Sequence, residues 1–281
     1  MQTNYCGMTN DSLYKIKDWI ADQQKRGRIT FSYQGVVAQF PAITEQGVRN
    51  ALNRLVKKTE IVPVFKGFYS VIPVSYALMG IVPSEFYIDD LMKYLNRPYY
   101  VCLLNAAVFY GAAHQKPQVS SVTTSLPALR DTTKRNTRIV FISTRKKIPQ
   151  HWLRTFRGEN GDFYVSKPEL TAADLITFQK KIGGLNRACT VLSELMEVVR
   201  FGKLDKAFFG YVPTSTIQRL GYLLENELEQ QNQADILFSK AQAHDCRFQK
   251  IPLKNNKPTD HCETNEKWRI IINETIEIDD L

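Results

Sequence analysis

His244-x-Cys246 and His261-Cys262 carry the ring nitrogens and thiols that bind zinc, and Asp89-Asp90 and Asp279-Asp280 carry the carboxylates that bind hard cations. Neither His/Cys pair has a metal-finger spacing, and no second CxxC or HxxxH completes a ligand set. These residues therefore read as ordinary surface or core side chains, and each aspartate doublet as a helix start or a tail. A Walker-type glycine-rich loop and a nucleophile elbow are both missing. The sequence offers no catalytic residue, no metal ligand and no cofactor site. The expectation is a protein that is not an enzyme.

A different chemistry is written into residues 45–58. Val48, Ala51, Leu52 and Leu55 recur at i, i+3, i+4 and i+7, which predicts a helix with one apolar face. Thr44 is placed to cap it, with Glu45 in the first turn near the positive helix end. The other face carries Gln46, Asn50, Asn53 and Lys57, flanked by Arg49 and Arg54, and reads as free of carboxylates. Arg, Asn and Gln are the side chains suited to paired hydrogen bonds with base edges in the major groove of DNA.

Basic residues gather in two places. Residues 10–75 hold ten Lys/Arg against five Asp/Glu, and residues 130–157 hold nine against one, out of a net charge of +9 for the whole chain. Residues 205–281 are mildly acidic, with nine Lys/Arg against thirteen Asp/Glu. In the second basic stretch Arg130, Lys134, Arg135 and Arg138 precede a predicted strand, Arg145, Lys146 and Lys147 follow it, and Arg154 and Arg157 lie beyond. Such a cluster can grip phosphates, dock an acidic partner or simply be solvated. The 28 tyrosines and phenylalanines mostly fit apolar faces, which assigns them to cores rather than to base stacking.

These residues need elements to hold them. Leu13, Ile16, Trp19 and Ile20 predict an amphipathic helix ending near Gly27. Ile29 to Phe31 is a short extended segment, and Tyr33 to Phe40 a short helix. After the capped helix, Ile61 to Phe65 and Phe68 to Val71 flank Lys66-Gly67 as a β-hairpin, whose tip would set Lys66 beside phosphates. Helix, short helix, polar-faced helix and hairpin is the order of a winged helix-turn-helix.

Further on, the pattern predicts a helix over Ser84 to Leu95, a buried helix over Tyr99 to Tyr110, and strands at 119–125, 138–143 and 163–165. Helices are predicted from Pro168 towards Lys181, around 185–201 and from Ser215, with a strand-like run over 267–273. The fold class expected is α+β, an N-terminal winged helix-turn-helix followed by a mixed α/β C-terminal domain. The boundaries expected are 10–75 and 76–281, the last part (205–281) being an acidic extension. Five scattered cysteines, no secretory signal and no apolar run of membrane-spanning length point to the cytoplasm.

Gly47-Val48-Arg49-Asn50-Ala51-Leu52-Asn53-Arg54-Leu55-Val56-Lys57-Lys58 with Lys66-Gly67-Phe68-Tyr69 resembles the winged helix of AbiEi-type antitoxins. Tyr99-Tyr100-Val101-Cys102-Leu103-Leu104-Asn105-Ala106-Ala107, Tyr110-Gly111, His114-Gln115 and the stretch from Val165 to Leu175 resemble the C-terminal domain of that family. The runs Gln218 to Leu224 and Trp268 to Asn273 are similar to its longer members. The resemblance spans nearly the whole chain. It implies an antitoxin of a bacterial type IV toxin–antitoxin system, linked to phage resistance by abortive infection. It also implies repression of its own operon by the winged helix on promoter DNA. The toxin implied is nucleotidyltransferase-like, and it is countered without a tight complex. Two other readings stay open on the residues alone: an enzyme acting on nucleic acid and targeted by the winged helix, and an adaptor that docks another protein.

Overall fold

A computed structural model describes residues 5–78, 82–113, 117–134, 137–158 and 160–278, with side chains from residue 11 onward. His114-Gln115, Arg135 and Asp279-Asp280 lie outside the described residues.

The N-terminal part runs α1 (Tyr5–Lys25), β1 (Thr30–Ser32), α2 (Tyr33–Gln39), α3 (Glu45–Lys57), β2 (Ile61–Phe65) and β3 (Phe68–Val71). β3 lies between β1 and β2, antiparallel to both. This is the connectivity of a winged helix, as the sequence predicts. Ser32 starts α2 by accepting from the Gly35 amide at 3.0 Å, and Thr44 starts α3 by accepting from the Gly47 amide at 3.1 Å. The apolar faces of α1 (Leu13, Ile16, Ile20) and α3 (Val48, Ala51, Leu52, Leu55) close on Phe31, Val36, Ile61 and Val71 in one small core.

A 3-10 turn at Ser84–Phe86 and α4 (Ile88–Tyr94) replace the single helix predicted over 84–95. The buried helix predicted over Tyr99 to Tyr110 is instead a strand, β4 (Tyr99–Val101), and a short helix, α5 (Leu103–Val108). Its apolar run cannot distinguish a buried strand from a buried helix. Pairing decides it, because Tyr100 finds Thr123 on one side and Val101 finds Val165 on the other. The switch occurs at Leu103, fully buried yet at φ 56°, a region that side chains seldom occupy.

Six strands make the central sheet, in the order β6-β7-β5-β4-β9-β8. The additional strands are β5 (Val119–Ser125), β6 (Thr132–Lys134), β7 (Thr137–Thr144), β8 (Leu153–Gly158) and β9 (Gly161–Ser166). Alternation splits the sheet into two faces. Phe141, Val122, Val101 and Val165 lie abreast across four strands, towards α4 and the hairpin β2–β3. Ile142, Thr123 and Tyr100 lie abreast on the opposite face, under the C-terminal helices. The first face shares a core with Val62, Val64, Phe68 and Ile72, so the winged helix and the sheet are fused through the hairpin.

The other face is covered by α6 (Pro168–Thr177), α7 (Leu185–Leu195), α8 (Lys206–Tyr211), α9 (Thr214–Asn226) and α10 (Gln231–Ala243). The helix predicted around 185–201 stops at Leu195. The strand-like run at 267–273 pairs only at β12 (Ile270–Ile271), between β10 (Ile251–Pro252) and β11 (Thr264–Asn265). Its Trp268 is buried against α9 and α10, ringed by Phe238 and Phe248 at 5.3 and 5.8 Å between centroids.

Candidate nucleic-acid interface

Burial of the α3 apolar face leaves Gln46, Arg49, Asn50, Asn53, Arg54 and Lys57 together in solvent, with Thr44 exposed at the N-cap. Gly47 lets α3 start this close to the preceding loop, because a Cβ there would sit 2.9 Å from the Ile43 methyl. The outward amides are ordered among themselves. Gln46 Nε2 donates to Asn50 Oδ1 at 3.0 Å, the one-turn spacing at which helix side chains meet.

One expectation needs correction here: the outward face does contain a carboxylate. Glu45 lies one turn before Arg49, and its Oε2 pairs with Nη2 of Arg49 at 3.4 Å. A further partner was not legible in the sequence. Arg49 Nε donates to the Tyr33 hydroxyl oxygen at 3.2 Å, and its guanidinium stands 5.6 Å from the Tyr33 ring centroid. The same hydroxyl donates towards Glu45, 3.2 Å from Oε2. This phenol contact, more than the charge of Glu45, pushes the Arg49 pKa above its ordinary value. Tyr33 opens α2, and its own amide donates to the Gly67 carbonyl of the hairpin tip at 2.8 Å. A single tyrosine thus joins the polar face to the tip. The only sequence signal was an aromatic residue at a helix start.

Lys66 is exposed at the tip, followed by Gly67 at φ 71°, the left-handed conformation that favours glycine. The hairpin is not a free-standing flap. Phe65 meets Phe141 edge to face at 6.2 Å, and Phe68 packs on Tyr94 at 5.1 Å. Thr30 Oγ1 donates to Asp90 Oδ2 at 2.5 Å, and Asn160 Nδ2 donates to the same oxygen at 3.2 Å. Asp89 accepts from the Tyr99 hydroxyl and pairs with Lys93. The Asp89-Asp90 doublet therefore fastens the parts of the chain together.

The second basic stretch does not converge. Arg130 precedes β6, Lys134 is in β6 and Arg138 at the start of β7, all exposed, while Arg145, Lys146 and Lys147 follow the far end of β7. Arg154 and Arg157 are on β8 at the opposite edge of the sheet. Three strands intervene between β7 and β8, roughly 19 Å at the usual interstrand spacing. Lys146 donates to the Tyr211 carbonyl at 2.9 Å, and Arg154 covers the Phe156 ring at 4.9 Å. Two separate basic edges result.

Among the described residues, no group of three or more His, Cys, Asp and Glu gathers as a metal site. His244 stacks on Phe209 at 5.0 Å, and His261 is exposed in a loop. No helix among the described residues is long and apolar enough to cross a membrane.

Comparison with known proteins places this architecture. Residues 99–226 match the family model of the AbiEi antitoxin C-terminal domain, which begins at β4 and ends with α9. The crystal structure of the RV2827C protein from Mycobacterium tuberculosis aligns with a TM-score of 0.60 over 93% of this chain and 91% of that one. At 12% identity, that likeness establishes a shared fold. No curated protein matches the chain at a significant level. The match of residues 99–226 to the AbiEi antitoxin C-terminal domain supports an antitoxin role in a toxin–antitoxin system.

Proposed function

We propose that the chain is a cytoplasmic antitoxin that also represses its own operon. In this reading residues 10–75 bind promoter DNA, and residues 76–281 counter a nucleotidyltransferase-like toxin. The observation that carries the DNA half is the α3 surface, where Gln46, Arg49, Asn50, Asn53, Arg54 and Lys57 stand exposed on a capped helix braced from behind by α1. The AbiEi domain supports the antitoxin half.

The test is binding of the purified protein to DNA from upstream of its gene, followed across salt. About five phosphate contacts predict a roughly 10²–10³-fold loss of affinity between about 50 and 200 mM salt. Absence of binding at low salt sinks the DNA half and leaves the antitoxin role standing. Arg49→Ala and Asn53→Ala should each remove about 1–3 kcal/mol of preference for the operator over random DNA. Lys66→Ala should weaken both DNAs alike. Equal losses on both DNAs for Arg49→Ala would refute its role in reading bases.

Tyr33→Phe tests how Arg49 is positioned. It deletes the hydroxyl that accepts from Arg49 Nε but keeps the ring. Operator preference should fall by about 1 kcal/mol, the net worth of one such hydrogen bond, with binding to random DNA unchanged. An operator affinity equal to that of the parent protein would show that Arg49 needs no brace.

A further inference from the structure

A cavity of about 550 Å³ opens on the hairpin-side face of the central sheet. This lies within the range that holds small organic ligands. Val101 and Phe163 line it, and both belong to the core that the sheet shares with the hairpin. The segment joining the winged helix to the sheet adds Tyr76, and the end of α5 adds Val108, with Phe109 next to it. The Phe109 and Phe163 rings stand 5.3 Å apart between centroids. The walls are mainly apolar and aromatic.

The groups that could hold a polar ligand here are neutral. Thr137 stands two residues before Ile139 on β7, so both side chains point to this face of the sheet. It is 4% exposed, and its Oγ1, able to donate and to accept, has no hydrogen-bond partner among the described residues. A hydroxyl buried without a partner is costly, and a ligand that pairs with it removes that cost. Asn105 Oδ1 accepts from the Ser121 amide at 2.8 Å, which leaves its amide nitrogen as the donating end. Neither charged residue of the lining is free to hold an ion. Arg138, next along β7, points to the opposite face of the sheet, and Glu85 has an interaction of its own.

We infer that this cavity binds an uncharged aromatic ligand that carries an amide or lactam group. Its ring would lie against Phe109, Phe163 and Tyr76. An amide offers both senses of hydrogen bond, an oxygen that accepts from Asn105 Nδ2 or Thr137 and an N–H that donates to Thr137 Oγ1. A carboxylate or an ammonium of the same size would enter without a counter-charge. Burying an unpaired ion costs far more than burying an amide that finds its hydrogen bonds. The site is independent of the DNA reading.

Benzamide and 2-quinolinone, with benzoate as the charged isostere and toluene as the apolar one, test this by saturation-transfer NMR titration of the full chain. Fragments of roughly ten non-hydrogen atoms in a formed pocket reach about millimolar dissociation constants. Benzamide and 2-quinolinone should bind in that range, and benzoate at least about tenfold more weakly, because its charge is unpaired. Thr137→Val should weaken both amides by about threefold to tenfold, the worth of one neutral hydrogen bond, and spare toluene. This change exchanges an unpaired hydroxyl for a methyl, so the variant should stay folded, as a thermal melt would verify. Val108→Trp, on the α5 wall, should fill the cavity and abolish transfer to all the probes. No transfer to either amide from the parent protein overturns the proposal, as does benzoate binding as tightly as benzamide. Amide binding that is unchanged in Thr137→Val overturns it too, whether or not Val108→Trp folds.

Discussion

Gly221→Ala should unfold or detach the C-terminal segment of this protein, at a cost of about 3–5 kcal/mol, comparable to deleting a buried tryptophan. Gly221 faces Trp268 from the middle of α9, and a Cβ there would overlap the six-membered ring at Cζ2, Cζ3 and Cη2. The ring cannot give way. Its Nε1 donates to Glu225 Oε2 at 2.7 Å, its backbone carbonyl accepts from Gln218 Nε2 at 2.8 Å, and Phe238 and Phe248 close its other sides. Gln218 is itself buried and also holds the Gln249 carbonyl at 2.7 Å, while Arg219 donates to the carbonyls of Pro252 and Leu253. One turn and a half of α9 thus clamps the chain from 249 to 268. Thermal melts and limited proteolysis would read the effect as a lower Tm and early cleavage after α10. A Trp268→Leu change made together with Gly221→Ala removes the overlapping ring atoms. The double variant should therefore be more stable than the sum of the single effects predicts. Strict additivity would show that the two residues do not meet.

Asp174→Asn should stabilise the protein increasingly as pH rises. Asp174, on α6, is 4% exposed; its Oδ1 is 3.5 Å from the Tyr100 hydroxyl, and its Oδ2 has no partner. Tyr100 turns its hydroxyl to that of Tyr211 as well, at 3.1 Å, so acidic groups gather here, and no cation among the described residues pairs with Asp174. Burial pushes the Asp174 carboxyl up to about 8, with the Tyr100 hydrogen bond opposing only in part. The unfolded carboxyl titrates near pH 4. Between about pH 4 and 8 the folded form keeps a proton that the unfolded form releases, so stability falls with rising pH in that window and levels off above it. The accumulated cost is about 4 kcal/mol at pH 7, at 1.36 kcal/mol per pH unit. Asparagine has no proton to lose. Melting both proteins from pH 4.5 to pH 8 should show little difference at the acid end and a gain of roughly 10 °C for the variant at the alkaline end. Parallel profiles would mean that Asp174 is ionised in the fold.

Neither effect was visible along the chain. Gly221 reads as a weak point in a helix, and Asp174 as an ordinary polar residue in the first turns after Pro168-Glu169, because nothing local reveals what faces them. The same holds for Tyr33, whose ring reaches Arg49 only once α2 and α3 pack. The apolar run at 99–110 was ambiguous for a related reason. A fully buried strand and a buried helix share a composition, and the partners of β4 are 23 and 64 residues away at Thr123 and Val165. The basic residues of 130–157 are close in sequence, yet the sheet order carries β8 to the edge opposite β7. Strand order depends on long-range pairing, and local spacing does not encode it.

What the sequence determined by itself was the winged helix-turn-helix, because each of its elements carries its own signals. The Thr44 cap, the 3.6-residue apolar period of α3, the Lys66-Gly67 turn and the alternation around it all act within a few residues of one another. Those signals also fixed which α3 side chains face solvent. Tertiary structure alone decided that Glu45 and Tyr33 hold Arg49, that the hairpin is anchored by Phe65 and Phe68 to the sheet, and that the second basic stretch is divided. Each of these outcomes depends on contacts between segments distant in the chain, where the free energy lies in the fit of two surfaces.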